Sequence, residues 1–154
     1  MEGAGRDRAG FRRAAAETPP CGLRRAQALR LLVDTHVFLW WCADDPRLGA
    51  DERAALADAR NEAFLSAASV WEIAIKQSLG RLRLPEPVSA AARRLGFLPL
   101  PVSFEHAEAV ERLPPLHRDP FDRMLLAQAR SEGLTLVTQD PDIRRYPGVA
   151  LLDA

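Results

Sequence analysis

Leu29-Arg30-Leu31-Leu32-Val33-Asp34 is the stretch on which the fold turns. It is too short to be a helix and too apolar to lie against water, so it reads as a strand buried on both faces, as in a parallel sheet. Asp34 closes it abruptly. Downstream, residues 35–42 are apolar around Trp40 and Trp41 and predict a first helix on the sheet. A turn-rich break at 44–49 precedes a surface helix over 51–60. Residues 63–65 are a second strand candidate, and Ser66 is placed to N-cap a helix over 67–79 that Gly80 stops. Beyond a loop holding Pro85 and Pro87, a short helix is expected over 88–95. Residues 97–102 can form only an edge strand, because Pro99 and Pro101 lack the N–H a central position needs. Ser103 caps a helix through about Arg112, and Pro114-Pro115 breaks it. A further helix spans 120–132 and ends at Gly133. Strands follow at 134–138 and 149–152. Strands alternating with helices predict an α/β domain with a mostly parallel sheet and helices on both faces, a three-layer α/β/α arrangement.

Upstream the pattern stops. Residues 1–29 hold scattered Arg, three glycines before residue 11 and the pair Pro19-Pro20, and read as an extension that the domain over 30–154 does not need. The chain has 154 residues, about one domain's worth, of which 47% are hydrophobic and 27% charged, so it carries enough apolar material for a core. Cys21 and Cys42 are too few for a disulfide framework or a four-cysteine zinc site. No apolar run is long enough to span a membrane, and the first twenty residues lack a secretory core, so a soluble cytoplasmic protein is expected. Net charge is zero, yet residues 1–30 carry +4 and the remainder −4. A broad basic field is therefore excluded, and any nucleic-acid contact must come from local Arg clusters.

Four acids interrupt or end apolar segments, and each has an ordinary reading beside a functional one. Asp34 leaves the carboxyl end of a strand, where parallel sheets bind ligands, but could simply N-cap the next helix. Glu72 lies among apolar neighbours on its helix, yet is spaced i,i+4 from Lys76 in the favourable ion-pair order. Asp119-Pro120-Phe121-Asp122 is a well-made helix start, which explains one of its two acids. Asp140 and Asp142 follow the strand over 134–138, again at a carboxyl end, in what could be a plain turn. Carboxylates converging at one place repel unless a cation joins them. Oxygen donors alone favour Mg²⁺ or Mn²⁺ over zinc, and such an ion suits phosphodiester hydrolysis.

Four segments now line up in order: Leu32-Val33-Asp34-Thr35-His36, Ser69-Val70-Trp71-Glu72-Ile73, Asp122-Arg123-Met124-Leu125-Leu126-Ala127-Gln128-Ala129 and Leu136-Val137-Thr138-Gln139-Asp140. Together they resemble the motifs of the PIN-domain family, and more closely the VapC-type ribonuclease toxins of toxin–antitoxin pairs, over residues 30–153. The resemblance implies a PIN-like (Rossmann-like) fold and Mg²⁺- or Mn²⁺-dependent endoribonuclease activity on single-stranded or structured RNA such as tRNA or rRNA. It implies Asp34 and Asp122 as main metal ligands, Glu72 as a ligand or water-orienting base, and Asp140 as the fourth acid, with Asp142 its competitor. A homodimer is implied too, restrained by a VapB-type antitoxin.

Lys76, Arg81 and Arg83 follow Glu72, Arg118 and Arg123 flank the Asp119/Asp122 pair, and Arg144-Arg145 follow Asp140. These are candidate RNA phosphate contacts, of which Lys76, Arg81, Arg118 and Arg123 are preferred, against the ordinary reading of a solvated charged surface. His117-Arg118-Asp119 echoes a kinase catalytic loop, but no glycine-rich phosphate loop accompanies it. His36 reads as packed or capping, and Trp40-Trp41 as core or dimer surface. Two other functions compete. A small-molecule Mg²⁺ phosphatase is disfavoured because His36 stands where an aspartyl-phosphate enzyme has its second Asp. A non-catalytic dimeric binding module would have no need of all four acids.

Overall fold

The computed structural model describes residues 27–152; most of the tail expected over 1–29, with Cys21, lies outside them. Leu29 belongs to the domain, since its N–H donates to Asn61 Oδ1 at 2.8 Å and its carbonyl accepts from Glu62 N at 2.9 Å. Five strands follow in sequence: β1 (Arg30–Val33), β2 (Glu62–Ser66), β3 (Leu98–Leu100), β4 (Thr135–Val137) and β5 (Ala150–Leu151). All pair in parallel, in the order β3-β2-β1-β4-β5, which puts β1 at the centre and the Pro99 strand at an edge as expected.

Six α-helices join them: α1 (Thr35–Ala43), α2 (Ala50–Ala57), α3 (Ala67–Ser78), α4 (Val88–Arg94), α5 (Phe104–Ala109) and α6 (Pro120–Glu132). Alternation along β1 separates two cores. Leu31 and Val33 face Val37, Phe38, Leu56, Ile73 and Leu95, while Leu32 faces Leu125, Leu126 and Ile143. Helices α1–α4 therefore cover one face and α5–α6 the other, which is the three-layer α/β/α arrangement. Each fully buried Leu in these layers contributes roughly 1.5–3 kcal/mol over leaving it exposed.

Local chemistry sets the helix ends. Ser66 accepts from Ala68 N and starts α3; Asp119 accepts from Phe121 N and Asp122 N and starts α6, with Pro120 in its first turn and Gly133 at φ 63° after its end. Two expected helices ran three residues too long, and the strands expected over 97–102, 134–138 and 149–152 are shorter as well. The helix after Ser103 is α-helical only to Ala109 and tightens into a 3₁₀ turn at Val110–Arg112 ahead of the two prolines. The helix expected over 51–60 stops at Ala57 and is not a surface helix throughout, since it buries Glu52 and Leu56. The Glu52 carboxylate lies over Gly49 so closely that a Cβ there would meet its Oε2 at 2.1 Å and the side chain would have to shift. His36 is neither packed nor capping. Asp34 supplies the cap, and the exposed His36 ring leans on Trp40 at 6.0 Å.

Candidate active site

After β3 the chain crosses back over β1 to lay down β4 on its other side, so β1 and β4 lead to connections that diverge. Parallel sheets bind ligands at this crevice, outside the carboxyl ends of the strands. Asp34 sits there because its N–H extends the ladder, donating to Val137 O at 3.1 Å. Its two readings prove compatible. Oδ1 caps α1 by accepting from Val37 N at 2.8 Å, and Oδ2 accepts from the Thr138 hydroxyl that leaves β4. Burial raises the Asp34 pKa; the Thr138 and Val37 hydrogen bonds oppose this.

Asp122, in the first turn of α6, faces the same crevice. Burial first, then the Asp119 carboxylate and more weakly Asp34 and Asp140, push its pKa up to about 7, with His117 acting in the opposite direction. Asp140, two residues past Thr138, completes the group. Its burial is outweighed by hydrogen bonds from His117 and the Asp142 amide, and its pKa is lowered. Asp140 Oδ2 lies 3.1 Å from His117 Nε2, and Asp122 Oδ2 lies 3.2 Å from the same nitrogen. Of the two acids after β4, Asp142 points outward and is 3.5 Å from Arg145 Nη1. Asp34, Asp122 and Asp140 thus sense one another's charge.

Glu72 reaches the group indirectly. The Thr35 hydroxyl donates to its Oε2 at 2.5 Å, and Lys76 Nζ donates to its Oε1 at 2.7 Å. Only 7% of Glu72 is exposed, so this i,i+4 pair is a partly buried bond and not a surface one. Thr35 follows Asp34 directly in the chain, so the residue that holds Glu72 adjoins the acid at the end of β1.

The candidate RNA contacts differ in what occupies them. Arg81, Arg83 and Arg118 are exposed. Lys76 is committed to Glu72. Arg123 donates to the carbonyls of Val110 at 3.1 Å, Pro114 at 3.0 Å, and Leu113 and His117 at 3.4 Å, besides the Tyr146 hydroxyl at 3.2 Å. Its guanidinium is spent on bracing the loop before α6. Arg144 Nη2 donates to Thr138 O at 3.0 Å. Beside the acids, Trp71 stands 64% exposed with its ring edge-to-face against Phe121 at 5.3 Å.

Sequence reasoning passed over Thr35, Thr138 and His117. The signal for the two threonines was their position, each next to or two residues from an acid at a strand end. His117 had none beyond a misleading echo of another enzyme class.

A PIN domain family model matches residues 31–149. The chain belongs to the PIN-domain family. Within it, the chain is 31% identical over 127 residues to Ribonuclease VapC22 of Mycobacterium tuberculosis, a match covering 75% of this chain and 91% of that one. It is 49% identical over 75 residues to Ribonuclease VapC16 of the same organism, spanning 44% of this chain and about half (52%) of the relative. In fold it is similar to the VapBC2 complex of Rickettsia felis bound to a promoter DNA fragment, with TM-score 0.61 at 16% identity over 80% of this chain and 97% of that one. It is similar also to DNA-bound VapBC of Salmonella typhimurium, with TM-score 0.59 at 17% identity over 80% and 96%.

The donor set fits a hard divalent ion. Asp122 and Asp140 meet in a partly buried crevice, their donor atoms within 4.8 Å of each other, while Asp34 and Glu72 stand outside that distance and Asp34 adds only its charge. Burial first and then the neighbouring carboxylates raise the Asp122 pKa to about 7, a cost that a cation there offsets.

Proposed function

We propose that this chain is a Mg²⁺- or Mn²⁺-dependent endoribonuclease, the toxin of a VapBC-type pair, acting on single-stranded or structured RNA such as tRNA or rRNA. The meeting of Asp122 and Asp140 at the crevice between β1 and β4, with Asp34 near enough to add its charge, carries the reading, with the ribonuclease relatives in support. Asp34, Asp122 and Asp140 would hold the ion, with Glu72 at the edge of the group as ligand or water-orienting base. Bound there, it would polarise a phosphoryl oxygen and make a water more acidic. The chain's own residues do the rest. Thr138 orients Asp34, Thr35 and Lys76 hold Glu72, and exposed Arg81 and Arg118 offer phosphate contacts. A VapB-type antitoxin is the proposed partner, and a homodimer the proposed assembly. No helix among the described residues is long and apolar enough to cross a membrane, in keeping with a cytoplasmic site of action.

The test is cleavage of a mixed tRNA and rRNA pool by purified protein with Mg²⁺, Mn²⁺ or EDTA, beside Asp34→Asn and Asp122→Asn. Metal-dependent cuts at a few sites, lost in both folded variants, are expected. Full activity in either variant, or in EDTA, would overturn the reading. A folded protein that neither cuts RNA nor binds metal would be a binding module instead.

A further inference from the structure

His117 lies in the loop before α6, its side chain nearly covered, with Nε2 between Asp140 and Asp122. By distance alone, His117, Asp122 and Asp140 form a three-ligand metal group, their donor atoms within 4.8 Å of one another. The other ring nitrogen decides differently. The Asp119 backbone N–H donates to His117 Nδ1 at 3.0 Å, so Nδ1 presents its lone pair and the ring hydrogen resides on Nε2. A nitrogen that carries hydrogen has no lone pair left for a metal. A histidine that ligates through Nε2 instead donates its Nδ1–H to an acceptor, and here Nδ1 faces a donor.

We infer that His117 is a positioning residue and not a metal ligand: its Nε2–H donates to Asp140 Oδ2, with Asp122 Oδ2 3.2 Å from the same nitrogen, and so sets Asp140 against Asp122 at the spacing the site needs. The backbone that carries the ring is held on both sides. His117 N–H donates to the Tyr146 hydroxyl at 2.8 Å, and its carbonyl accepts from Arg123 at 3.4 Å, which also reaches Tyr146. Tyr146 is itself buried, so the clamp is anchored in the core under α6. The consequence is a centre with oxygen donors only, selective for Mg²⁺ and Mn²⁺ over metals that seek an imidazole. This inference rests on the reading of the acids as a metal centre.

The experiment uses Mn²⁺ with the full chain, His117→Gln and His117→Ala. Glutamine keeps a side-chain N–H donor beside an acceptor oxygen; alanine keeps neither. Electron spin-echo measurements on the bound Mn²⁺ should show no coordinated imidazole nitrogen in the wild type. Calorimetry should find Mn²⁺ affinity near wild type for His117→Gln and weakened roughly 10-fold for His117→Ala, with kcat falling alongside and KM for RNA unmoved. Thermal melts check that both variants fold. A directly bound imidazole nitrogen, or a His117→Gln as impaired as His117→Ala, would overturn the assignment. Undiminished Mn²⁺ binding by Asp122→Asn would instead overturn the metal-centre reading beneath it, and the assignment with it.

Discussion

Asp122 bears a large electrostatic cost, because burial and three neighbouring carboxylates raise its pKa from 3.8 to about 7. A carboxyl whose folded pKa is raised binds protons more readily folded than unfolded. Without metal, the protein therefore loses stability as pH rises from about 4 to about 7, by roughly 1–2 kcal/mol from this group once solvent screening of a partly exposed carboxyl is discounted. Asp34, raised in the same direction, adds to the slope. Asp122→Asn should accordingly raise the melting temperature in EDTA, by more at pH 8 than at pH 5. A larger gain at pH 5 would show that the carboxyl is not strained by its neighbours. Mn²⁺ binding should release a proton near neutral pH, visible as a calorimetric enthalpy that changes with the buffer's ionisation enthalpy.

The loop between the 3₁₀ turn at Val110–Arg112 and α6 has no regular ladder of its own, and Arg123 supplies one by reaching four carbonyls and a phenol. Arg123→Ala should cost about 2 kcal/mol, because it removes five charge-assisted hydrogen bonds at once, although Val110 O, Pro114 O and the Tyr146 hydroxyl each keep a backbone N–H donor. Arg123→Lys should restore little of it, since an ammonium cannot reproduce the planar fork. Urea unfolding measures both, and full stability in the lysine variant would show that charge alone suffices. Thr138→Val is the matching change at β4. It preserves shape and removes the hydroxyl that orients Asp34, so cleavage should fall at least 10-fold with the fold intact; unchanged cleavage would mean the Val37 amide is enough. Helix α6 was legible to the residue, because Asp119, Pro120 and Gly133 are local signals read without the rest of the chain. Helix α2 was not. Its buried Glu52 meets Gln139, whose Nε2 lies 3.3 Å from Glu52 Oε1, from a loop far along the sequence.

The whole molecule places acids from β1, α6 and the loop after β4 in one crevice through the strand order β3-β2-β1-β4-β5. Its core is complete within the described residues, with both faces of the sheet covered. Removal of residues 1–26 is therefore expected to leave the melting temperature and metal-dependent cleavage unchanged. A large drop in either, measured on the truncated protein, would make the extension part of the domain. Light scattering on the full chain tests the proposed homodimer, with a dimer mass expected.

Apolar period, capping residues and prolines are short-range properties, so the chain's own letters determined the element order, the edge position of β3 and a shortlist of acids at strand and helix ends. The sequence left open whether Asp34 has a partner beyond its cap, whether Glu72 is a surface charge, and whether Asp140 or Asp142 faces inward. Folding answered these because each depends on partners distant in sequence: Thr138 on Asp34, Thr35 on Glu72, His117 on Asp140. The roles of His117 and Arg123 were decided by tertiary structure alone. A histidine's tautomer follows from the donor that meets its ring, and an arginine's role from the carbonyls within its reach, and neither is written in the residues beside them.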